Sequence, residues 1–285
     1  MLSRNFPDRL VGICCRVTST RHEEVPMSTQ FSARPSDRPV AVPRLQIAGL
    51  TVRFGGLTAL DDASFEVGAG ETVALIGPNG AGKTTVFNAV CGLVRPASGS
   101  VRLDGRPAPT SPTRLIRHGV ARTLQGLGLF AGMSVLENVL VPLTAPGRTR
   151  STTDSSDAVT RATTTLDELG LSAALHRPVD SLPYPERKRV ALARALVTEP
   201  TLLLLDEPAG GLGAGDIADL SATVRVVAAT GCSVLLVEHH MDFVMALADR
   251  VAVLDFGRII ACGTPAEVQA DRRVEEAYLG VEVAS

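Results

Sequence analysis

A glycine-rich segment that follows an apolar run is the feature of this sequence that most constrains its fold. The run is Thr72 to Ile76, and the segment Gly77-Pro-Asn-Gly-Ala-Gly-Lys83-Thr84 satisfies the pattern G-x-x-x-x-G-K-[ST]. Thr84 to Gly92 then has the pattern of a helix that ends at glycine. A strand, a glycine-rich turn and a helix in this order predict a loop that wraps phosphate groups, and they disfavour an incidental glycine-rich turn.

Each residue type in this loop has a chemical use at a polyphosphate. The glycines let successive backbone N–H groups face the anion, and the helix N-terminus adds partial positive charge. Lys83 supplies a cation for the β- and γ-phosphates, while Thr84 supplies a hydroxyl for Mg²⁺. ATP and Mg²⁺ are therefore the predicted cofactors. The predicted cofactor-binding residues of the loop are Gly77, Pro78, Asn79, Gly80, Ala81, Gly82, Lys83, Thr84 and Thr85.

Two carboxylates follow a second apolar run, Leu202 to Leu205. Asp206 is predicted to hold Mg²⁺ through water, and Glu207 to orient and polarise the water that attacks the phosphate. Standing alone, the same pattern would indicate a buried strand that ends in solvated acids. The phosphate loop upstream favours the catalytic interpretation.

A histidine pair follows the apolar run Ser233 to Val237 and Glu238. A side chain at the carboxyl end of a parallel strand faces the ligand crevice of such a sheet, so His239 is a candidate site residue, although a lone histidine is more often structural. His240 is the competing candidate, because the spacing alone does not distinguish the two.

The rest of the chain alternates short apolar runs with helical segments, which favours a parallel sheet in an α/β fold. The part from about Ser134 to Pro183 is helical instead, and Ser134-Val-Leu-Glu137 at its start fits a capping box. Residues 1–43 have no apolar periodicity and are predicted to be a disordered extension. The predicted ATPase domain spans residues 44–285, with a helical subdomain inserted at about residues 126–188.

Composition and charge exclude several classes of function. The formal net charge of -2 and the pI near 6.2 lack the broad positive field of nucleic-acid binders, so no nucleic-acid partner is predicted. No apolar run approaches the roughly 18 to 20 residues that span a bilayer, so any membrane role requires a partner. The five cysteines are scattered without metal-ligand spacing, which favours free thiols in a reducing cytosol.

In this order the motifs resemble those of the ATP-binding cassette family, over nearly all of Leu45 to Gly280. The segments that look like the ATPase subunits of branched-chain amino-acid importers are Phe54-Gly-Gly-Leu57, Ala121-Arg-Thr-Leu-Gln125, Val135-Leu-Glu-Asn138, Leu182-Pro-Tyr184, Glu207-Pro-Ala-Gly-Gly-Leu212, Glu238-His-His-Met241 and Gly263-Thr-Pro-Ala-Glu267. The resemblance implies a P-loop (RecA-like) parallel-sheet core with an antiparallel β subdomain and an inserted helical subdomain. It also implies an ATPase that energises an importer of branched-chain amino acids or a similar small polar solute.

The resemblance implies roles for three further positions. Phe54 is expected to stack on adenine, with a core aromatic as the alternative. Gln125 is expected to touch Mg²⁺ and the attacking water, with a solvated loop amide as the alternative, and His239 is expected to sense the γ-phosphate. The expected metal-binding residues are Thr84, Gln125 and Asp206, and the expected catalytic residues are Glu207, His239 and Gln125.

The resemblance also implies partners. Two ATPase subunits are expected to enclose two ATP molecules, each bound by the phosphate loop of one subunit and the signature helix of the other. The helical segment, with Gln125 at its hinge, is expected to contact membrane permease subunits. The chain is then expected at the cytoplasmic face of the membrane, with an extracytoplasmic solute-binding protein as an indirect partner.

The signature segment departs from the family pattern. Leu182-Pro-Tyr-Pro-Glu186 stands where Leu-Ser-Gly-Gly-Gln is usual, so Pro183 lacks a hydroxyl, and Pro185, expected at the first position of a helix, lacks an N–H. Glu186 adds repulsion toward phosphate. The basic run Arg187-Lys-Arg189 either offsets this repulsion or forms a solvated helix face. Gly213 replaces the usual Asp or Asn of a contact across the dimer, which argues against cooperativity between the two sites. We expect slow hydrolysis, in a homodimer or in a heterodimer whose other subunit supplies a more typical signature.

Two other functions stay open at this point. One is a soluble cassette ATPase that acts on ribosomes or nucleic acid, although such proteins usually carry paired cassettes or long coiled coils, and this sequence shows neither. The other is a nucleotide-binding regulatory subunit with little turnover, against which Glu207 argues. The sequence of an ATPase subunit does not identify the transported solute, and related importers carry urea, amides or other small solutes.

Overall fold

The computed structural model describes residues 42–144 and 155–279 of the chain. In this part the strands are β1 Leu45–Phe54, β2 Leu57–Val67, β3 Thr72–Ile76, β4 Ser98–Leu103, β5 Arg106–Pro107, β6 Val120–Arg122, β7 Leu202–Asp206, β8 Ser233–Val237, β9 Arg250–Asp255 and β10 Arg258–Gly263. The α-helices are α1 Lys83–Val90, α2 Val135–Thr144, α3 Ser155–Glu168, α4 Tyr184–Leu196, α5 Ala214–Ala229, α6 Met241–Leu247, α7 Pro265–Gln269 and α8 Arg272–Leu279. The predicted extension over residues 1–43 lies, apart from its last two residues, outside the described part.

A six-stranded sheet in the order β10-β9-β3-β8-β7-β6 organises the described fold. Neighbouring strands pair in parallel, except that β9 and β10 form an antiparallel hairpin. Strand β3 lies in the interior, between β8 and β9, where Val73 is in register with Leu235 on one side and with Arg250 on the other. The predicted parallel sheet and the α/β class are confirmed.

A second, four-stranded sheet has the order β2-β1-β4-β5 and is antiparallel throughout. Strands β1 and β2 form a hairpin that pairs Leu45 with Val67 at one end and Phe54 with Leu57 at the other. Gly55 in the connecting turn has φ 57°, a left-handed conformation that glycine adopts without steric cost. Phe54 therefore lies at the tip of this hairpin.

Alternate residues of the parallel strands enter two different hydrophobic clusters. Val73 and Leu75 of β3 pack with the antiparallel sheet and with Phe87 of α1. Ala74 and Ile76 pack in the cluster that contains the buried faces of α2 to α6. Successive side chains of a strand point to opposite faces, so a strand covered on both faces is apolar at nearly every position. This explains the continuous apolar runs that precede the predicted site residues.

Helix α2 begins with the predicted capping box. The Ser134 backbone N–H donates to the Glu137 carboxylate at 2.7 Å, and the Glu137 N–H donates to the Ser134 hydroxyl at 3.2 Å. The amide side chain of Asn138, which is fully buried, accepts from the Phe130 N–H at 2.8 Å and donates to the carbonyls of Phe130 and Ser134. These bonds fix the segment that leads from β6 into the helical part.

The structure differs from the sequence-based expectation at several element boundaries. Helix α4 begins at Tyr184, so Pro185 occupies the second helical position and not the expected first position. The backbone N–H groups of the first turn have no intrahelical acceptor, so proline is tolerated there as well. Strand β6 and helix α6 are short elements that the sequence analysis did not predict.

Candidate nucleotide-binding site

Segments from four parts of the chain meet at the carboxyl ends of β3, β6, β7 and β8. The sheet order is β3-β8-β7-β6, so the turn after β8 lies between the loop after β3 and the turn after β7. The N–H of Glu207, which follows β7, donates to the carbonyl of Val237 at the end of β8. The predicted loop and the predicted catalytic carboxylate therefore share one edge of the sheet.

The loop after β3 has the backbone that its glycines allow. Gly77, Gly80 and Gly82 have φ values of 149°, 84° and 109°, which residues with a Cβ atom rarely adopt. A Cβ atom on Gly82 would lie 2.6 Å from the carbonyl oxygen of Ala59. Gly82 is also the N-cap of α1, so the free N–H groups of the first helical turn begin where the loop ends. The turn is shaped to present N–H donors to an anion.

Lys83, the first residue of α1, folds back over the loop. Its ammonium group donates to the carbonyls of Gly77 at 2.5 Å and Pro78 at 2.9 Å. Burial lowers the pKa of Lys83, and the negative charge of Glu207 opposes this shift. Since that charge acts on Lys83, the lysine and Glu207 belong to one electrostatic site.

Asp206 is paired with an arginine that the sequence analysis did not single out. The Arg122 guanidinium lies 2.8 Å from the Asp206 carboxylate, and 13% and 8% of the two side chains are exposed. Arg122 also donates to the Asn88 amide oxygen at 3.2 Å and lies over the Phe87 ring of α1. The pair links β6, β7 and α1 beneath the loop. An arginine at the end of a short, unpredicted strand gave no sequence signal for this contact.

Glu207 and Gln125 are brought together. The Gln125 amide donates to one oxygen of the Glu207 carboxylate, Oε2, at 2.8 Å. Glu207 itself has φ 47°, a left-handed value that costs a residue with a side chain about 1 to 3 kcal/mol and that occurs mostly at functional sites. Gln125 is itself exposed, so its expected role and the alternative of a solvated loop amide both stay predictions.

Glu238 is fully buried and shapes the turn that carries the two histidines. One carboxylate oxygen accepts the N–H of Ala209 at 2.7 Å, and the other accepts the N–H groups of His239 at 2.8 Å and His240 at 3.0 Å. The side chains of His239 and His240 are 57% and 40% exposed, respectively. Both histidines lie at the carboxyl end of β8, as expected, and the choice between them stays a prediction.

Phe54 is half exposed at the hairpin tip, so the alternative of a core aromatic is wrong. In the signature segment, Pro183 is the N-cap of α4 and accepts no helical N–H through a side chain. Tyr184 packs against Gly211, where an added Cβ atom would lie 3.0 Å from the tyrosine ring. Gly213 is the N-cap of α5, also without a side-chain cap. At these two N-cap positions, no side-chain cap therefore replaces the polar groups that the usual family pattern supplies.

This site has the parts that define a P-loop nucleotide-binding protein. They are a strand, a loop shaped by glycines, a helix that begins with a half-buried lysine, and an acidic pair at the end of β7. The oxygen donors Thr84 and Asp206 are of the kind that Mg²⁺ prefers, so the site fits a nucleotide with its cation. Across residues 42–144 and 155–279, every helix is too short or too polar to cross a bilayer.

Comparisons with known proteins identify the family. Residues 60–210 match the ABC transporter model, and residues 258–284 match the model of the branched-chain amino acid ATP-binding cassette transporter. The chain is 39% identical to the high-affinity branched-chain amino acid transport ATP-binding protein LivG of Salmonella typhimurium, over 84% of this chain and 98% of LivG. It is 37% identical to BraF of Pseudomonas aeruginosa, a protein of the same description, with the same coverage.

Solved structures agree with this assignment. A nucleotide-free ATP-binding cassette from an ABC transporter superposes with a TM-score of 0.75 at 30% identity, covering 84% of this chain and 99% of that one. The ADP conformation of such a cassette gives a TM-score of 0.74, also at 30% identity and with the same coverage. The chain belongs to the ABC transporter family of ATP-binding subunits. The predicted family, fold class and ATPase class are confirmed.

Proposed function

We propose that this chain binds ATP with Mg²⁺ and hydrolyses it to energise an importer of branched-chain amino acids. The observation that carries the proposal is the contact between Gln125 and Glu207 beside the phosphate loop. The relatives LivG and BraF are branched-chain amino acid transport proteins, which supports the choice of solute. A similar small polar solute would use the same ATPase chemistry.

In the proposed mechanism the loop from Gly77 to Thr85 binds the phosphates through its backbone N–H groups and Lys83. Thr84 and Asp206 would hold Mg²⁺, with Gln125 as a further oxygen donor. Mg²⁺, when bound, would neutralise charge on the β- and γ-phosphates. Lys83 donates to two loop carbonyls, which leaves the third N–H of its ammonium for a phosphate oxygen.

Glu207 would act as the general base. Gln125 engages Oε2 of its carboxylate, which leaves Oε1 to accept the proton of the attacking water. The left-handed backbone of Glu207 and its N–H bond to Val237 fix the direction of the carboxylate. His239, exposed at the end of β8, would donate a hydrogen bond to the γ-phosphate. Phe54, exposed at the hairpin tip, would stack on adenine.

The proposed assembly contains a second ABC ATPase subunit and membrane permease subunits, with an extracytoplasmic solute-binding protein acting through the permease. The chain would lie peripherally at the cytoplasmic face of the membrane. Pro183 and Pro185 remove donors from the start of α4, and a hydrogen bond to a charged group contributes about 1.5 to 3 kcal/mol. We therefore infer that this α4 binds the other subunit's ATP weakly, and that a heterodimer with a more typical signature is favoured.

The test uses Glu207→Gln with Glu275→Gln, an exposed glutamate of α8, as the matched control. A tag on the chain purifies the complex from membranes in the presence of Mg²⁺ and ATP. Glu207→Gln should retain ATP and permease subunits while hydrolysis falls by roughly 10² to 10⁴-fold, the contribution of a positioned general base. Glu275→Gln should match wild type.

Two outcomes would contradict the proposal. Recovery of ribosomes or nucleic acid without membrane protein would favour the soluble ATPase. Equal hydrolysis by wild type and Glu207→Gln would remove Glu207 from catalysis. For the solute, the complex in vesicles should take up leucine, isoleucine and valine but not urea, and selective uptake of urea would overturn that choice.

A further inference from the structure

The chain uses lysine at only two positions. Of its 28 lysine and arginine residues, all are arginine except Lys83 and Lys188. Lys83 belongs to the phosphate loop, where a compact ammonium is required. At the other positions that carry a positive charge the residue is arginine. Lys188, in the second turn of α4, is therefore the one other residue with an ammonium side chain.

The Lys188 ammonium bonds to the backbone of the turn that carries Glu207. Its Nζ donates to the Glu207 carbonyl at 3.1 Å and to the Pro208 carbonyl at 2.7 Å. Adjacent carbonyls suit a compact point charge on a flexible stem, whereas the planar guanidinium suits a bidentate carboxylate or phosphate. The contact contradicts, for Lys188, the interpretation of the basic run as a solvated helix face, while the interpretation that the run offsets the repulsion from Glu186 stays a prediction.

An opposite charge holds the next residue of the same turn. The buried Glu238 carboxylate accepts the N–H of Ala209 at 2.7 Å. Burial lowers the pKa of Lys188, while the charges of Glu238 and then Glu207 oppose the shift. In this turn the carbonyls of Glu207 and Pro208 thus face the Lys188 cation, and the N–H of Ala209 faces the Glu238 anion. The turn is held between α4 on one side and the histidine turn after β8 on the other.

We propose that Lys188 is a positioning residue for hydrolysis, which connects helix α4 to the turn that aims the Glu207 carboxylate. The inference rests on the proposed role of Glu207 as the base. A displacement of α4 pulls on the carbonyl of Glu207 itself and on that of its neighbour, so the carboxylate changes direction when α4 moves. In this proposal Lys188 acts on the reaction through Glu207, whose carbonyl it holds.

Kinetics of the tagged complex test this role with three variants. Lys188→Met keeps the stem and removes the charge, and Lys188→Arg keeps the charge and changes its shape. Arg225→Met is the control, since Arg225 of α5 is exposed and also donates to a backbone carbonyl, that of Ala246, away from the Glu207 turn. Lys188→Met should lower kcat at least tenfold while KM for ATP changes less than threefold. Lys188→Arg should recover only part of kcat, and Arg225→Met should match wild type.

A failure of this inference can be distinguished from a failure of the proposed function. If Glu207→Gln abolishes hydrolysis but Lys188→Met keeps kcat within twofold, the inference is overturned and the proposed function stands. If Lys188→Met raises KM for ATP by the same factor by which it lowers kcat, Lys188 acts in nucleotide binding and the inference is likewise overturned. Equal hydrolysis by wild type and Glu207→Gln overturns the proposed function and this inference with it.

A measurement on the wild-type chain avoids any folding defect of the variants. Labelling lysine side chains with nitrogen-15 yields two ammonium groups, and the one whose signal shifts when Mg²⁺ and ATP are added is assigned to Lys83, which leaves the other for Lys188. An ammonium bonded to two carbonyls exchanges its protons with water slowly enough to be observed by NMR spectroscopy. A protected Lys188 signal supports the contact, and its absence refutes it.

Discussion

Replacing Arg122 with methionine removes the cation that pairs with Asp206 but keeps a long side chain over the Phe87 ring. Because 13% of Arg122 and 8% of Asp206 are exposed, the substitution leaves a nearly buried carboxylate without its partner. Breaking a buried pair in this way costs about 3 to 5 kcal/mol. The bond from Arg122 to Asn88 is lost as well, so we expect the upper half of that range.

The assay is urea unfolding followed by circular dichroism, and the chain contains its own control. Arg258 pairs with Asp61 in an ion pair whose side chains are 66% and 39% exposed, and such pairs contribute about 0 to 1 kcal/mol. Arg258→Met should therefore lower the free energy of unfolding by at most that amount. Mg²⁺ alone should restore part of the stability of Arg122→Met and leave wild type unchanged, because the freed carboxylate binds the ion. Equal losses in the two variants would refute the argument from burial.

Three further predictions follow from single sites. Gly82→Ala should weaken nucleotide binding more than tenfold in calorimetry, since its Cβ atom meets a backbone carbonyl at 2.6 Å, whereas Gly56→Ala, with nothing within 4 Å of the added atom, should bind normally. Asn138→Ala should lower the free energy of unfolding by about 2 kcal/mol, because the backbone groups of Phe130 and Ser134 lose their bonds to a fully buried side chain; an unchanged urea midpoint would contradict this. Burial raises the pKa of the Cys232 thiol from 9.0 to about 11, so the unfolded chain loses that proton first and stability falls as pH rises from 9 to 11. Cys232→Ala should abolish this part of the pH dependence of the urea midpoint, and iodoacetamide should modify the exposed Cys262 of the native protein well before Cys232.

The elements that the sequence predicts well are those whose signal is local. Strand β3 and the loop after it follow from an apolar run and a strict pattern of glycines, and the capping box of α2 follows from Ser134 and Glu137. The ends of β7 and β8 are found for the same reason. Each of these patterns is complete within about ten residues, so no knowledge of the tertiary fold is required.

The contacts that the sequence does not predict join residues far apart in the chain. Arg122 and Asp206 are 84 positions apart, and β6 is too short to give a periodic signal. Lys188 lies in a basic run that any exposed helix face would carry, and only the fold turns its ammonium toward the Glu207 carbonyl. The strict motifs therefore identify the groups that would meet the nucleotide, while the groups that hold them in place emerge only from packing.

The interior position of β3 has a consequence for how the protein is made. Both neighbours of β3, the strands β8 and β9, come much later in the chain, and Thr72 bonds to Asp249 across 177 positions. While the ribosome synthesises the intervening segments, both edges of an apolar strand lack partners, which is the condition under which strands associate wrongly. We therefore expect the newborn chain to need chaperones, and the phosphate loop to acquire its shape only after β9 has left the ribosome.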